Sequence, residues 1–262
     1  MVRAKKHLGQ HFLREDAIAD KIAGSLTGTS SSTRILEIGP GMGILTRSLL
    51  SRKFEQLKLI ELDTESVAYL HQHFPTLKDA VIEGDFLKIN LDKIFDGESF
   101  SIIGNFPYNI SSQILFRVFE NRERIPEVVG MFQREVAQRI TSGHGTKDYG
   151  ILSVLLQVYY HATYLFTVEE DAFDPPPKVK SGVLRLTRNQ TPSLPVSDSF
   201  FKAVVKAAFN QRRKTLRNSL SAFLTKPHPE ELAEVLSRRP EQMSPEDFIN
   251  LAKALNDLKN PE

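Results

Sequence analysis

The chain has 262 residues, of which 40% are hydrophobic and 25% charged, and its formal net charge is +2. That composition fits an ordinary globular protein with room for one large domain or one domain plus an appendage, and no apolar run approaches membrane-spanning length. There is no cysteine, which excludes disulfides, thiolate catalysis and cysteine-based zinc sites.

The first fourteen residues carry Arg3, Lys5, Lys6 and Arg14 and no acid. They lack the apolar core of a secretory leader, so the sequence predicts a cytoplasmic protein. From there to residue 160, short apolar runs alternate with helical spacing. Segments 34–39, 57–62, 80–83, 100–104 and 127–132 read as strands, short, rich in Ile, Val or Leu, and free of internal proline. Segments 44–51, 64–73, 135–140 and 150–160 read as helices. Another helix should start near Ser111, with Ser111 or Ser112 as its cap and Ile114, Leu115, Val118 and Phe119 on one face. This alternation predicts an α/β fold, a parallel sheet with helices on both faces. Segment 142–147 (SGHGTK) reads as a mobile loop.

The pattern then changes. Segments 162–168 and 181–187 read as strands close in sequence, separated by Pro175-Pro176-Pro177, which predicts an antiparallel return at the sheet edge. A proline-punctuated linker, 189–196, leads to helical segments at 198–210, 214–224, 229–238 and 244–258. The expected domains are therefore 1–188 and a small all-α C-terminal domain, 189–262. Between Ser199 and Pro229 lie Lys202, Lys206, Arg212, Arg213, Lys214, Arg217 and Lys226, again without an acid. Two acid-free basic segments on a nearly neutral chain point to a polyanion-binding face. The plainer reading is a pair of solvated helix surfaces.

Two turns carry chemistry. Glu37-Ile38-Gly39-Pro40-Gly41-Met42-Gly43 ends the first strand and opens a helix. Its glycines allow a sharp turn and close approach of a ligand. Glu61 ends the next strand, where a carboxylate suits a ribose diol, and Asp85 follows the third, where it suits an adenine amino group. A dinucleotide fingerprint would need Gly at position 44, which is Ile44. The acid at Glu37 disfavours a pyrophosphate and suits a cation such as a sulfonium amino acid, so the spacing favours S-adenosylmethionine over a nicotinamide dinucleotide.

The second turn, Gly104-Asn105-Phe106-Pro107-Tyr108-Asn109-Ile110, places an amide, a proline and two aromatics where a buried strand should end. The Asn105 side-chain oxygen and the Pro107 carbonyl could accept hydrogen bonds from a planar exocyclic amine, and Tyr108 could stack on the ring that bears it. The alternative is a strand-end turn with two core aromatics. Phe173, beside the proline run, is a candidate second wall for a base taken out of its stack, and ordinary core packing is its alternative.

These residues resemble the ribosomal RNA adenine N6,N6-dimethyltransferases of the small-subunit, kasugamycin-sensitivity type. The resemblance runs end to end through Gly9–Leu13, Glu37–Gly43, Ile60–Asp63, Gly84-Asp85, Gly104–Ile110, Phe173–Val179 and Phe209–Thr215. It implies a Rossmann-like class I methyltransferase sheet. It implies S-adenosylmethionine held by His11, Leu13, Gly39, Gly41, Glu61, Asp85 and Asn105, and catalysis by Asn105, Pro107 and Tyr108. Tyr108, Phe173, Arg212, Arg213 and Lys214 would meet the RNA. The implied reaction is dimethylation of two adjacent adenosines in the 3'-terminal hairpin loop of 16S rRNA, by a monomer acting on a pre-assembled 30S particle without metal or membrane, late in small-subunit biogenesis. This chain departs from the family pattern at His11, usually Asn, and at Phe106, usually Leu. Rival readings are the sister enzymes that methylate large-subunit rRNA, a ribosome assembly factor whose methylation is dispensable, and a nicotinamide-dependent oxidoreductase.

Overall fold

The computed structural model describes every residue except 1, 29–32, 53, 191–192, 225–229 and 260–262. In chain order its elements are β1 (Phe12–Leu13), α1 (Asp16–Ala23), β2 (Arg34–Ile38), α2 (Ile44–Leu50), β3 (Gln56–Glu61), α3 (Thr64–His73), β4 (Val81–Glu83), β5 (Ser101–Asn105), α4 (Ser111–Glu120) and β6 (Glu127–Gln133). They continue with α5 (Arg134–Thr141), α6 (Ile151–Tyr159), β7 (Tyr160–Val168), β8 (Phe173–Asp174), β9 (Ser181–Arg188), α7 (Asp198–Asn210), α8 (Leu216–Ser219), α9 (Ala233–Ser237) and α10 (Pro245–Lys259).

Seven strands form one sheet in the order β4-β3-β2-β5-β6-β9-β7. The pairs β2–β3, β3–β4, β2–β5 and β5–β6 are parallel, and β6–β9 is antiparallel. The chain's order reverses at β2, whose neighbours are β3 on one side and β5 on the other. In open α/β sheets that switch point opens a crevice at the strands' carboxyl ends. The central strands are buried almost throughout, which is why they read as unbroken apolar runs. The antiparallel return differs from a simple hairpin, because β9 inserts between β6 and β7.

One charged residue in β6 needs support to be buried there. Glu127 accepts hydrogen bonds from the Thr27 amide (2.9 Å), the Thr27 hydroxyl (2.6 Å) and the Gly28 amide (3.3 Å), which satisfies its carboxylate inside the sheet.

The chain forms two compact units, Met1–Gln138 with His161–Arg188, and Arg139–Tyr160 with Asn189–Glu262. The expected division at 188/189 is linear and these units are not. Segment 139–160 groups with the helical tail because α6 packs on α7 and α10. Its place between two strands hides this from a composition boundary.

The tail is less regular than its spacing suggests. The helix expected over 214–224 is α8 followed by a short 3-10 turn at Ser221–Phe223, the break falling at Leu220. The helix expected over 229–238 is a 3-10 turn at Glu230–Leu232 followed by α9; Pro229, like Lys226, lies outside the described residues. α10 starts as expected, with the Ser244 hydroxyl accepting from the Asp247 amide (3.0 Å) and the Asp247 carboxylate from the Ser244 amide (2.9 Å). Loop 142–147 is tied within its unit, the Gly145 amide donating to the Glu241 carbonyl and Arg212 to the Thr146 carbonyl.

Candidate functional site

A cavity opens at the switch point, lined from the N-terminal arm by residues 8–13, from the β2 turn by residues 37–42, and beyond β3, β4 and β5 by Glu61, Asp85 and residues 105–110. Of the predicted cofactor residues, His11, Leu13, Gly39, Gly41, Glu61, Asp85 and Asn105 all line it, as do Pro107 and Tyr108. Phe173 does not.

The β2 turn is open by construction. Gly39, Gly41 and Gly43 have φ of 67°, 56° and 77°, left-handed values that a Cβ strains. A Cβ at Gly41 would also come within 2.8 Å of the Phe12 ring. Glu61 is held by three backbone N–H groups, Gly41 at 3.0 Å on one oxygen and Leu62 and Asp63 at 2.9 Å on the other. Burial raises its pKa and those bonds pull it back in part. A carboxylate has roughly four acceptor positions, so with three in use about one remains, on the oxygen bound to Gly41, for a ribose hydroxyl. Glu37 is 1% exposed and accepts a 2.7 Å bond from the Thr46 hydroxyl. Burial pushes its pKa up to about 8, and a nearby cation would favour its ionised form. Asp85 accepts from the Leu87 amide at 2.9 Å. A cavity with a pinned carboxylate, a buried acid and a glycine cradle fits a cationic nucleoside.

The β5 turn is closed by packing. The Asn105 amide nitrogen donates to the His11 carbonyl at 2.9 Å, which leaves the amide oxygen as the free end of a fixed group. The Pro107 carbonyl accepts from the Ile110 amide at 3.2 Å, using one of its two lone pairs. The Tyr108 hydroxyl lies 2.6 Å from Ser181 Oγ on β9. Burial raises the pKa of Tyr108, so the phenol stays protonated. Ser111 is the first residue of α4, not its cap, and its hydroxyl donates to the Tyr108 carbonyl at 3.0 Å. Phe106 is 1% exposed and lies edge-on to Phe132, with ring centroids 5.0 Å apart.

Two expectations change. Phe173 is 2% exposed in the core that contains Leu13, Ala172 and Val183, because β8 pairs antiparallel with β1 and turns that ring inward; it is core packing here, not a cavity wall. Lys5 is not a free polyanion contact. Its ammonium pairs with Asp63, and with Glu65 at 3.2 Å. Gln10 reaches Asp63 at 3.4 Å, so the arm is fastened beside the Glu61 strand end. In the helical unit, Arg212 is tied to the Thr146 carbonyl at 3.1 Å, while Arg213 and Lys214 are exposed.

Sequence reasoning missed α1, whose Ile18, Ala19, Ile22 and Ala23 already carry helical spacing, and the β1–β8 pair, too short for periodicity to register. It also missed Phe12 and Phe86 as cavity residues. Among the described residues no cluster of His, Asp or Glu could hold a metal, and no helix is long and apolar enough to cross a membrane.

A family model described as ribosomal RNA adenine dimethylase matches residues 1–257. The chain is 56% identical over 255 residues to ribosomal RNA small subunit methyltransferase A of Porphyromonas gingivalis, covering 97% of this chain and 98% of that one. It is 53% identical over 255 residues to the protein of the same name from Flavobacterium johnsoniae, covering 97% and 96%. Among solved structures, a dimethyladenosine transferase from Plasmodium falciparum shares the fold, with TM-score 0.78, 24% identity and coverage of 95% and 98%. The 23S rRNA methyltransferase ErmE superposes with TM-score 0.69 at 25% identity, covering 94% and 99%.

Proposed function

Because the chain belongs to the ribosomal RNA adenine dimethylase family, we propose that this cavity brings S-adenosylmethionine to the N6 amine of adenosine in small-subunit rRNA and dimethylates it. The observation that carries the reading is the juxtaposition, in one cavity, of the glycine turn with its two acids and the Asn105-Pro107-Tyr108 turn. The bound cofactor supplies a methyl group already activated on a sulfonium. The protein's task is binding, alignment and exclusion of water.

Gly39, Gly41, Leu13 and the His11 backbone form the cradle, Glu61 receives a ribose hydroxyl, and Asp85 takes the adenine amino group of the cofactor. Glu37 balances its positive charge. On the substrate side, the Asn105 amide oxygen and the remaining lone pair of Pro107 accept the N6 hydrogens. Those bonds favour a pyramidal nitrogen and stabilise the positive charge that develops on it. Tyr108 fixes the plane of the base. The cationic product amine loses its proton to water, so no strong general base is required.

The substrate is the pair of adjacent adenosines in the 3'-terminal hairpin loop of 16S rRNA, presented on a pre-assembled 30S particle in the cytoplasm to a monomeric enzyme. Arg212, Arg213 and Lys214 contact RNA phosphates, which position without specifying. The same binding gives the protein its place in late small-subunit biogenesis. The test incubates the protein with labelled S-adenosylmethionine and under-methylated small subunits, digests the RNA and separates the nucleosides. N6,N6-dimethyladenosine is expected. Its absence, with cofactor and particle both bound, leaves an assembly factor in place of an enzyme.

A further inference from the structure

His11 does more than its place in the cradle requires. Its backbone carbonyl takes the Asn105 amide bond, a contact that any side chain at this position would keep. Its imidazole has two separate partners. Nδ1 lies 2.7 Å from the Pro175 carbonyl oxygen, and since a carbonyl only accepts, Nδ1 carries the proton. The ring lies against Tyr108, with centroids 5.5 Å apart and planes 30° apart.

That stack supplies what the Tyr108 hydroxyl cannot. The bond between Tyr108 and Ser181 holds the far end of the side chain, but the hydroxyl oxygen lies on the axis about which the ring turns. Rotation about that axis leaves the bond intact and swings the plane. A flat neighbour packed on the ring hinders the rotation by its shape, and more firmly where that neighbour is itself held. The Pro175 carbonyl holds it: β1 and β8 pair at Phe12 and Asp174, one residue from each partner.

We infer that the His11 imidazole is a positioning residue that sets the plane of the Tyr108 ring, and through it the plane of the target adenine, while contributing little to cofactor binding. The inference rests on Tyr108 being the residue that stacks on the base. It bears most on the second methyl transfer. After the first, a single N–H remains to be aligned with an acceptor, so a base free to rock loses more of its productive orientations.

The experiment uses the full chain, under-methylated small subunits and saturating S-adenosylmethionine. It compares wild type with His11→Ala, His11→Phe and Tyr108→Ala, reading cofactor Kd by calorimetry, the two transfer rates in single turnover, and the ratio of N6-methyladenosine to N6,N6-dimethyladenosine. Thermal melts confirm that each variant is folded. His11→Ala should slow the second transfer about 10-fold and accumulate monomethyl product, with cofactor Kd changed by less than about threefold. His11→Phe keeps a flat ring without the Nδ1 proton, and should restore the product ratio most of the way.

Loss of cofactor affinity in step with rate would make the imidazole a cofactor ligand and overturn the inference. Equal defects in His11→Ala and His11→Phe would assign the effect to the Pro175 tie alone and also overturn it. A wild-type product ratio in Tyr108→Ala is a different failure: it removes the base-stacking reading, and the inference falls with it.

Discussion

The turn leaving β2 and the turn leaving β5 are neighbours, close enough that a Cβ at Gly39 would meet the Pro107 ring at 3.9 Å. They are built in opposite ways. The first works by omission, three glycines at positive φ leaving the backbone bare beside two acids. The second works by filling: Phe106 occupies space vacated by Gly104 and Gly130, where a Cβ would come within 2.7 Å and 2.3 Å of its ring. A bare turn makes room for a ligand, and an added Cβ strains its backbone and at Gly41 and Gly43 also collides with a neighbouring ring. A filled turn fixes the groups that touch the substrate, and its tolerance depends on which atom is changed.

The largest expected effect lies in the filled turn. Asn105→Ala removes an acceptor aimed at developing charge, and losing one such group costs about 10²–10³ in rate. Dimethyladenosine should fall by that factor in single-turnover assays while the far-UV circular dichroism spectrum and melting curve show the variant still folded. Activity near wild type would break the distinction between the turns, since the amide would then be only a tie to His11.

Gly41→Ala tests the bare turn. Its Cβ would meet the Phe12 ring at 2.8 Å with φ at 56°, and a left-handed non-glycine residue costs of order 1–2 kcal/mol before any clash. That strain weakens the fold in both states, and it reaches the cofactor only where the free turn relaxes out of the cradle geometry to escape it; cofactor Kd should then rise by up to about 5- to 30-fold, the equivalent of that energy. Gly39→Ala meets nothing closer than 3.9 Å, so it carries the backbone strain without the collision and should lose less. Equal losses would remove Phe12 from the account.

Glu37→Gln separates stability from binding in the same turn. Burial pushes the Glu37 pKa up to about 8, whereas an unfolded glutamate titrates near 4. Between those values the folded chain holds a proton that the unfolded chain has released, so this group's contribution to stability declines as pH rises from about 4 to about 8 and levels beyond. A permanently neutral glutamine abolishes that decline. Relative to wild type, the melting temperature of Glu37→Gln should gain steadily between pH 5 and pH 8.5. Its affinity for the cationic cofactor at pH 8 should fall several-fold. Parallel melting curves across that range would refute the buried-acid assignment.

How far the sequence reached follows the same contrast. Glycines, terminal acids and the Asn105 turn are local signals, and each stands where its spacing placed it, because strand ends and turn chemistry are set within a few residues. Partnerships across the chain were not visible. Phe173 lost its expected role to a two-residue strand pairing with β1, some 160 residues away. Lys5 left the basic face for Asp63. Segment 139–160 joined the helices beyond residue 189. Each depends on which distant surface a segment meets, and neither charge counting nor periodicity encodes that.

The smallest effect belongs to Phe106→Leu, and it decides whether filling or identity matters in the second turn. The ring lies against Gly104, Gly130 and Phe132, is 1% exposed, and offers the cavity it helps to line no polar group. Leucine keeps an apolar side chain but leaves part of the pocket between the two glycines empty, at a cost of about 1–2 kcal/mol for a buried reduction of this kind. The melting temperature should drop by a few degrees. Asn105, Pro107 and Tyr108 keep their own anchors on the His11 carbonyl, the Ile110 amide and Ser181, so both transfers should proceed within about threefold of wild type. Total loss of turnover in a folded Phe106→Leu protein would mean that the ring itself shapes the base site. The distinction between groups that fill the turn and groups that act from it would then fail.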